Sequence, residues 1–148
     1  MATTVRIATL QDEEAVAVLI RELGDAIGVT GDVNPVKWYS TLRKMLASPE
    51  WTFLLAENNG RKVGLLILLV LPSLYHGGYY GAITELIVNK AFQGKGTAAQ
   101  LVEDAKRIAK ASGCVEMDVS VEIQNEKAIG FYQKLGFKKK HADFGIEL

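Results

Sequence analysis

The amino-acid sequence predicts an α/β fold in which helices pack on both faces of a mixed central sheet of about six to seven strands. Strand-like and helix-like patterns alternate along all 148 residues, without a low-complexity linker. A continuous apolar run at 62–71 indicates a central strand that is covered on both faces. With 49% hydrophobic residues the chain can bury a substantial core, so we expect 1–148 to form a single domain.

Helical periodicity marks two helices near the start of the chain. Thr9 with Asp12 resembles a capping box, and the helix that it starts should end near Gly28. A second, shorter helix should stop before Pro49. The apolar positions that define them are Ala15, Val16, Leu19, Ile20, Leu23 and Ile27 in the first helix, and Trp38, Leu42, Met45 and Leu46 in the second.

Strands are predicted from alternation and from turn signals. Val5 and Ile7 alternate with polar neighbours and give a short first strand. Asn59-Gly60 is a strong hairpin signal between two apolar runs. The further expected strands are 51–56, 62–71, 82–88, 115–121 and a terminal strand at 137–148, with helices at 96–111 and 126–135 between the later ones.

Charge and cysteine content limit the class of protein. Lys and Arg together number 17, as do Asp and Glu, so the formal net charge is +0 and no overall basic field attracts nucleic acid or anionic lipid. Cys114 is the single cysteine, which excludes an internal disulfide and fits a reducing compartment. The apolar run at 64–71 is too short to span a bilayer. We therefore expect a cytoplasmic protein that binds neither nucleic acid nor membrane.

The most specific stretch is the glycine-rich loop at 93–98, between an apolar strand and a helix. Glycines without a Cβ and the free N–H groups of a helix N-terminus form a cradle for phosphate groups. A Walker A loop is excluded, because Gly96 stands where Ser or Thr is required. Gly94, Gly96 and Ala99 match a dinucleotide fingerprint, with Glu116 as its acidic residue, but several residues separate this loop from its strand where that fold has a direct turn.

A third interpretation rests on two motifs. The sequence QGKGTA at 93–98 matches Gln/Arg-x-x-Gly-x-Gly/Ala, and NEKAIGFYQKLGF at 125–137 matches Asn-x-x-Ala-x-x-Phe-Tyr-x-x-x-Gly-Phe. In this order and at this separation they resemble the GNAT superfamily of N-acetyltransferases. The close resemblance covers about 84–137, and the order of elements is similar elsewhere. It implies a sheet that splays between its fourth and fifth strands, and acetyl-coenzyme A as cosubstrate without a metal.

The same resemblance implies which residues bind the coenzyme. Backbone amides of the glycine loop would hold the pyrophosphate, with the Lys95 side chain adding charge. Leu86 and Val88 match strand positions whose backbone pairs with pantetheine like an added strand. Asn125 matches the family's asparagine, and it is also a good helix N-cap. The residues assigned to the coenzyme are Leu86, Val88, Gln93, Gly94, Lys95, Gly96, Thr97, Ala98 and Asn125.

Two side chains are candidates for acid–base catalysis. Tyr132 matches the family's tyrosine near the thioester sulfur, where a phenol with a pKa of about 10 can protonate the leaving thiolate. The alternative for Tyr132 is a core residue under the terminal strand. Glu85 lies in an apolar strand, where an unpaired carboxylate is costly. The resemblance implies that it is the base, because small-amine acetyltransferases have an acidic residue at the matching place, where a glutamate is proposed to deprotonate the amine through water. The alternative for Glu85 is a structural pair with Lys or Arg.

Other reactive side chains have plainer interpretations. We expect His76 to be a solvated loop residue rather than part of the acceptor site, and His141 to be exposed. Cys114 should be a small core residue, since it has no sequence-local histidine partner. No combination of His, Cys and carboxylate shows metal-ligand spacing.

The resemblance places acceptor specificity in 24–38 and 71–81, which contain Asp25, Asp32, Tyr75, Tyr79 and Tyr80. This mixture is compatible with a small cationic amine, an aminoglycoside or a peptide N-terminus. We expect an N-acetyltransferase that works through a ternary complex and forms a homodimer. The alternatives are a domain that senses acyl-coenzyme A without turnover and, from the dinucleotide fingerprint, an oxidoreductase fragment that binds NAD.

Overall fold

The computed structural model describes residues 3–27 and 34–148, the side chains of 25–27 excepted. Asp32 and the turn-rich stretch 28–33 therefore lie outside the described residues, as does the side chain of Asp25. The strands are β1 (Thr4–Ile7), β2 (Trp51–Asn58), β3 (Arg61–Ser73), β4 (Gly78–Val88) and β5 (Cys114–Val119), and the helices are α1 (Glu13–Ile27), α2 (Pro35–Ala47), α3 (Thr97–Ala111) and α4 (Glu126–Lys134).

The predicted capping box at the start of the first helix is confirmed. The Thr9 backbone N–H donates to Asp12 Oδ2 at 2.8 Å, and the Gln11 N–H donates to Thr9 Oγ1 at 3.3 Å. A single 3-10 turn, Leu10–Asp12, leads from this cap into α1. The guanidinium of Arg6 donates to both oxygens of Asp12, at 2.9 and 2.8 Å, and holds the pKa of that carboxyl well below its usual range.

The sheet has the order β1-β2-β3-β4-β5. Neighbours from β1 to β4 are antiparallel, and β4 pairs with β5 in parallel. The hairpin between β2 and β3 turns at Asn59 and Gly60, both with positive φ, as the sequence predicts. The mixed sheet is confirmed, with five strands in the described residues rather than six or seven.

The terminal strand predicted at 137–148 is wrong for the described chain, because this stretch is irregular. Within the described residues, its backbone makes one hydrogen bond, from Phe137 N–H to the Tyr132 carbonyl at 3.0 Å. Alternating apolar residues favour a strand only where a neighbouring edge supplies hydrogen bonds, and no such pairing forms here.

Helices cover both faces of the sheet, which confirms the predicted three layers. Alternate side chains of β2 and β3 point to opposite faces. One face packs Leu54, Leu66 and Leu68 with α3, and the other packs Phe53, Leu55, Leu65 and Ile67 with α1 and α2. None of the helices in the described ranges is long and apolar enough to cross a membrane.

Candidate active site

The fourth strand is hydrogen-bonded differently along its two halves. β5 pairs with β4 only as far as Ile83 and Val119, whereas β3 stays paired with β4 up to Val88. The backbone of 84–88 therefore has one side without a strand partner in the described chain. This is the predicted splay between the fourth and fifth strands.

A β-bulge lies where the two strands separate. Ile67 pairs with Glu85 and Leu68 pairs with Ile83, which leaves Thr84 as the extra residue of β4. A bulge bends its strand and redirects the side chains beside it. A cavity of about 280 Å³ opens there between β4 and β5. Its lining residues are Ala82, Ile83, Thr84, Asp118, Val119 and Ser120.

Glu85 is half-buried beside this bulge. The Thr84 hydroxyl donates a close hydrogen bond to its carboxylate. No Lys or Arg of the described chain forms an ion pair with Glu85, so the structural pair that was its alternative role is not found there. The Thr84 hydroxyl is thus the polar neighbour of this carboxylate, next to the residues where β4 and β5 separate.

The glycine loop has the conformation that a phosphate cradle requires. Gly94 and Gly96 have φ angles of +76° and +82°, which side chains with a Cβ rarely adopt. A Cβ built on either glycine would meet no atom within 4 Å, so there is open space beside both glycines. The Gln93 side chain ties the loop to the end of β4, with Nε2 donating to the Val88 carbonyl at 3.0 Å.

The N-terminus of α3 adds further donors beside this loop. Gly96 is the N-cap of α3, and no side chain caps the first turn. The N–H groups of that turn, in Thr97 and Ala98, are therefore directed at whatever the cradle binds. The observed geometry fits the pyrophosphate of coenzyme A, which needs several amide donors and space above them.

Two cationic side chains, Lys95 and Arg61, adjoin the glycine loop, and the sequence analysis predicted only Lys95. Lys95 Nζ lies 5.2 Å from the centroid of the Phe92 ring, and Arg61 Cζ lies 5.4 Å from it. Arg61 begins β3, which is antiparallel to β4 and so starts beside the end of β4. The hairpin register could have found Arg61, since pairing of Gly64 with Val88 brings the start of β3 next to the loop.

Tyr132 lies in the apolar cluster beneath the cleft. Leu86 and Val88 belong to the same cluster. The Tyr132 ring makes edge-to-face contacts with Phe131 and Phe137, at centroid distances of 5.1 and 5.4 Å. Burial raises the pKa of Tyr132 to about 12, which keeps the phenol protonated at neutral pH.

Asn125 has the capping role predicted for it. Its Oδ1 accepts from the Ala128 N–H at 3.0 Å and fixes the start of α4. The side chain is exposed, so its amide remains accessible to a ligand. α4 in turn carries Tyr132, so the cap also positions the candidate acid.

His76 is not the solvated loop residue that we expected. It is half-buried, and its Nδ1 lies 2.8 Å from Ser73 Oγ while its Nε2 lies 2.9 Å from Glu116 Oε2. Lys140 Nζ donates to the other oxygen of Glu116 at 2.6 Å. Ser73, His76 and Glu116 lie at the end of β4 and β5 opposite the cleft. Glu116, the acidic residue of the dinucleotide fingerprint, is thus far from the glycine loop.

The remaining reactive residues are placed as follows. His141 is exposed, as expected. Cys114 is half-buried at the start of β5, where burial raises the pKa of its thiol and disfavours the reactive thiolate. Ligand atoms of Glu116, Asp118 and His141 lie within 4.8 Å of one another, a grouping that sequence spacing did not show. The ammonium group of Lys140 already occupies the position of a cation beside Glu116.

Comparison with known proteins agrees with this geometry. The family model of the acetyltransferase (GNAT) family matches residues 11–137. Aminoalkylphosphonate N-acetyltransferase of Salmonella typhimurium is 29% identical over 139 residues, which cover 94% of this chain and 87% of that protein. The chain therefore belongs to the acetyltransferase (GNAT) family.

Solved structures show the same fold. A structure described as a transcriptional regulator from Bacillus halodurans superposes with a TM-score of 0.88 and 27% identity, over 99% of this chain and 100% of that one. An aminoglycoside acetyltransferase from an uncultured soil metagenomic sample superposes with a TM-score of 0.83 and 26% identity, over 100% and 99% of the two chains.

Proposed function

We propose that residues 1–148 act as one N-acetyltransferase domain that transfers an acetyl group from acetyl-coenzyme A to a primary amine within a ternary complex. The observation that carries the proposal is the opening of the parallel β4-β5 pair after Ile83 and Val119, on a strand that leads into an open glycine loop. Such an opening exposes strand backbone beside a phosphate cradle, which is what an elongated pantetheine phosphate needs.

The coenzyme is assigned to the residues that border this opening. The backbone of Leu86 and Val88 would pair with the pantetheine amides, and the N–H groups of 93–98 would bind the pyrophosphate. The side chains of Lys95 and Arg61 add positive charge beside that loop. Asn125 completes the set from the start of α4.

The residues of the cleft supply the proton transfers. Glu85 accepts a proton from the amine, directly or through a water, so that the nitrogen can form its bond to the acetyl carbon. Backbone N–H groups of β4 polarise the carbonyl oxygen. As the carbon–sulfur bond breaks, the Tyr132 hydroxyl gives its proton to the thiolate, and its high pKa makes it a stable donor at neutral pH. Holding both reactants in one cleft supplies much of the acceleration.

Relatives support a small amine as the acceptor. One relative is named an aminoalkylphosphonate N-acetyltransferase and another an aminoglycoside acetyltransferase, whereas two further relatives, which match a smaller part of the chain, are named N-alpha-acetyltransferases. A peptide N-terminus is the other acceptor that the sequence allows. We also propose that the protein acts in the cytoplasm, which its single cysteine supports, and that it forms a homodimer.

Release of free thiol tests the proposed reaction. The protein is incubated with acetyl-coenzyme A and a panel of aminoalkylphosphonates, aminoglycosides, diamines and peptide N-termini, with an enzyme-only blank because of Cys114. We expect release that depends on both the protein and one class of amine. Binding of coenzyme A without release for any amine would favour the sensing domain, and binding of NAD instead would favour the oxidoreductase fragment.

A further inference from the structure

The candidate acid and the candidate base lie on opposite faces of the sheet. Tyr132, with Leu86 and Val88, packs in the cluster that α3 covers, and α3 begins at the glycine loop. Glu85 pairs with Ile67 across β3 and β4, and Ile67 belongs to the cluster under α1 and α2. Directly paired residues lie on one face of a sheet, so Glu85 projects toward α1 and α2. The amine that Glu85 would deprotonate therefore approaches from the face opposite to α3.

Asp118 of β5 projects onto the same face as Glu85. Its neighbours Met117 and Val119 pack against the cluster that α3 covers, so the side chain between them points to the other face. Asp118 pairs with Ala82, and Glu85 lies two ladder positions beyond Ala82 because the β-bulge absorbs one residue. With about 3.3 Å per residue and about 4.8 Å between strands, the two acidic residues are about 8 Å apart.

The carboxylate of Asp118 has no partner among the described residues. It is half-buried and lines the cavity of about 280 Å³ between β4 and β5. Within the described chain it forms neither a hydrogen bond nor an ion pair. The Lys140 ammonium donates to Glu116 instead, and a ring nitrogen of His141 lies within 4.8 Å of Asp118 without a hydrogen bond. A carboxylate that loses water without gaining a partner is costly, and a cationic ligand would offset that cost.

We propose that Asp118 binds a second cationic group of the acceptor, so that the preferred acceptor is an amine with a further ammonium group, such as a diamine, a polyamine or an aminoglycoside. Glu85 takes the proton of the reacting nitrogen, and Asp118 holds the other nitrogen, still protonated, through a charge-assisted hydrogen bond. This inference rests on the acetyl transfer proposed above and specifies its acceptor.

The charges around the cleft favour this class of acceptor. Asp118 is the only charged residue that lines the cavity in the described chain. The cationic side chains of Lys95 and Arg61 lie beside the glycine loop, where the coenzyme is assigned. Asp118 would therefore repel the anionic tail of an aminoalkylphosphonate and would give a monoamine nothing to bind.

Thiol release with matched amines tests the inference. Each of a series of alkyl diamines is compared with the monoamine of the same length, and aminopropylphosphonate is compared with propylamine. We expect the wild type to prefer the best diamine over its monoamine by about 10- to 100-fold in kcat/KM, the range for a hydrogen bond between charged groups. Asp118→Asn should bring this ratio close to one by raising KM for the diamine, and should retain kcat/KM for the monoamine. A merely structural role would lower the rates with both amines together.

Two further variants sharpen the test. Asp104→Asn is the matched control, because Asp104 is a half-buried carboxylate on α3 that pairs with Arg107, and it should keep the wild-type ratio. Asp118→Glu should keep the preference for diamines but move it to a shorter diamine, since its carboxylate extends further from the strand. Circular dichroism and the stabilisation by acetyl-coenzyme A confirm that each variant is folded.

The outcomes separate this inference from the proposed reaction. A wild type that does not distinguish diamines from monoamines, or that prefers the phosphonate to propylamine, would overturn the role of Asp118. So would a D118N variant that keeps the wild-type ratio. Thiol release with a peptide N-terminus but with none of these small amines would also overturn it and would leave acetyl transfer intact. Release with no acceptor at all would overturn the proposed function itself.

Discussion

The two ends of the β4-β5 pair use the same strands in opposite ways. At one end, here called the network end, His76 and Lys140 both form hydrogen bonds with Glu116. These bonds connect the turn between β3 and β4, and the terminal stretch 137–148, to β5. At the other, the cleft end, pairing stops after Ile83 and Val119 and strand backbone is left open. We therefore expect changes at the cleft end to alter binding and rate, and changes at the network end to alter stability.

The largest effect at the cleft end is expected for Gly96→Val. The side chain would enter the open side of the loop and displace the phosphate from its amides. Losing two charge-assisted hydrogen bonds, at about 1.5–3 kcal/mol each, should weaken acetyl-coenzyme A binding by about 100-fold or more. Calorimetric titration and the rise of Tm with acetyl-coenzyme A measure this loss.

Gly60→Val is the matched control for that substitution. Gly60 also has a positive φ, +77°, with open space around a built Cβ, but it lies in the β2-β3 turn. Both variants should lose about 1–3 kcal/mol of unfolding free energy from backbone strain, and only G96V should lose the ligand. If folded G96V binds coenzyme A as the wild type does, the loop is not the cradle.

The second effect concerns the hydroxyl of Tyr132. Tyr132→Phe keeps the ring and its contacts with Phe131 and Phe137, so the fold and the coenzyme affinity should remain. If the hydroxyl protonates the leaving thiolate, kcat should fall roughly 10- to 1,000-fold. An unaltered kcat in Y132F, with chemistry shown to limit the rate, would make Tyr132 a core residue only.

The third effect compares one substitution at the two ends. Glu85→Gln keeps the shape and removes the base, so kcat should fall about 10- to 100-fold, at the low end of general-base contributions. The rise of kcat/KM with pH should also move toward the pKa of the free amine. Glu116→Gln makes the same chemical change at the network end and should retain both the rate and the pH profile. Equal rates and profiles for E85Q and the wild type would assign proton removal to another group.

Local signals in the sequence predicted the helix caps, the hairpin turn and the conformation of the glycine loop. The Thr9 and Asn125 caps, the Asn59-Gly60 turn and the glycine loop are all set by residues within a few positions of each other. The apolar run of β3 was equally informative, because a strand that is buried on both faces has a continuous run of apolar residues.

The network end depends on contacts between distant parts of the chain, and it was missed for that reason. His76 and Glu116 lie 40 positions apart, and Lys140 and Glu116 lie 24 apart, so no spacing rule connects them. The terminal stretch failed for a related reason. Alternation in 137–148 favours a strand as a local preference, but a strand also needs a neighbouring edge, and no strand of the described chain pairs with this stretch.

The smallest effect is expected at the network end itself. The Lys140 ammonium, and then His76, lower the pKa of Glu116 below its ordinary value near 4.5. A carboxyl whose pKa is lower in the folded state stabilises the protein fully above that ordinary value and loses the contribution as the pH falls through the folded pKa. E116Q should therefore lower the unfolding free energy at pH 7 by about 1 kcal/mol, the upper end for partly exposed pairs, or about 2–4 °C in Tm.

The difference in unfolding free energy between E116Q and the wild type should vanish in acid. Glu103→Gln is the control, because it breaks an exposed pair with Lys106 on α3 and should cost less. Were E116Q to lose kcat while keeping its Tm, the network end would belong to the catalytic machinery, and the contrast between the two ends of β4 would be wrong.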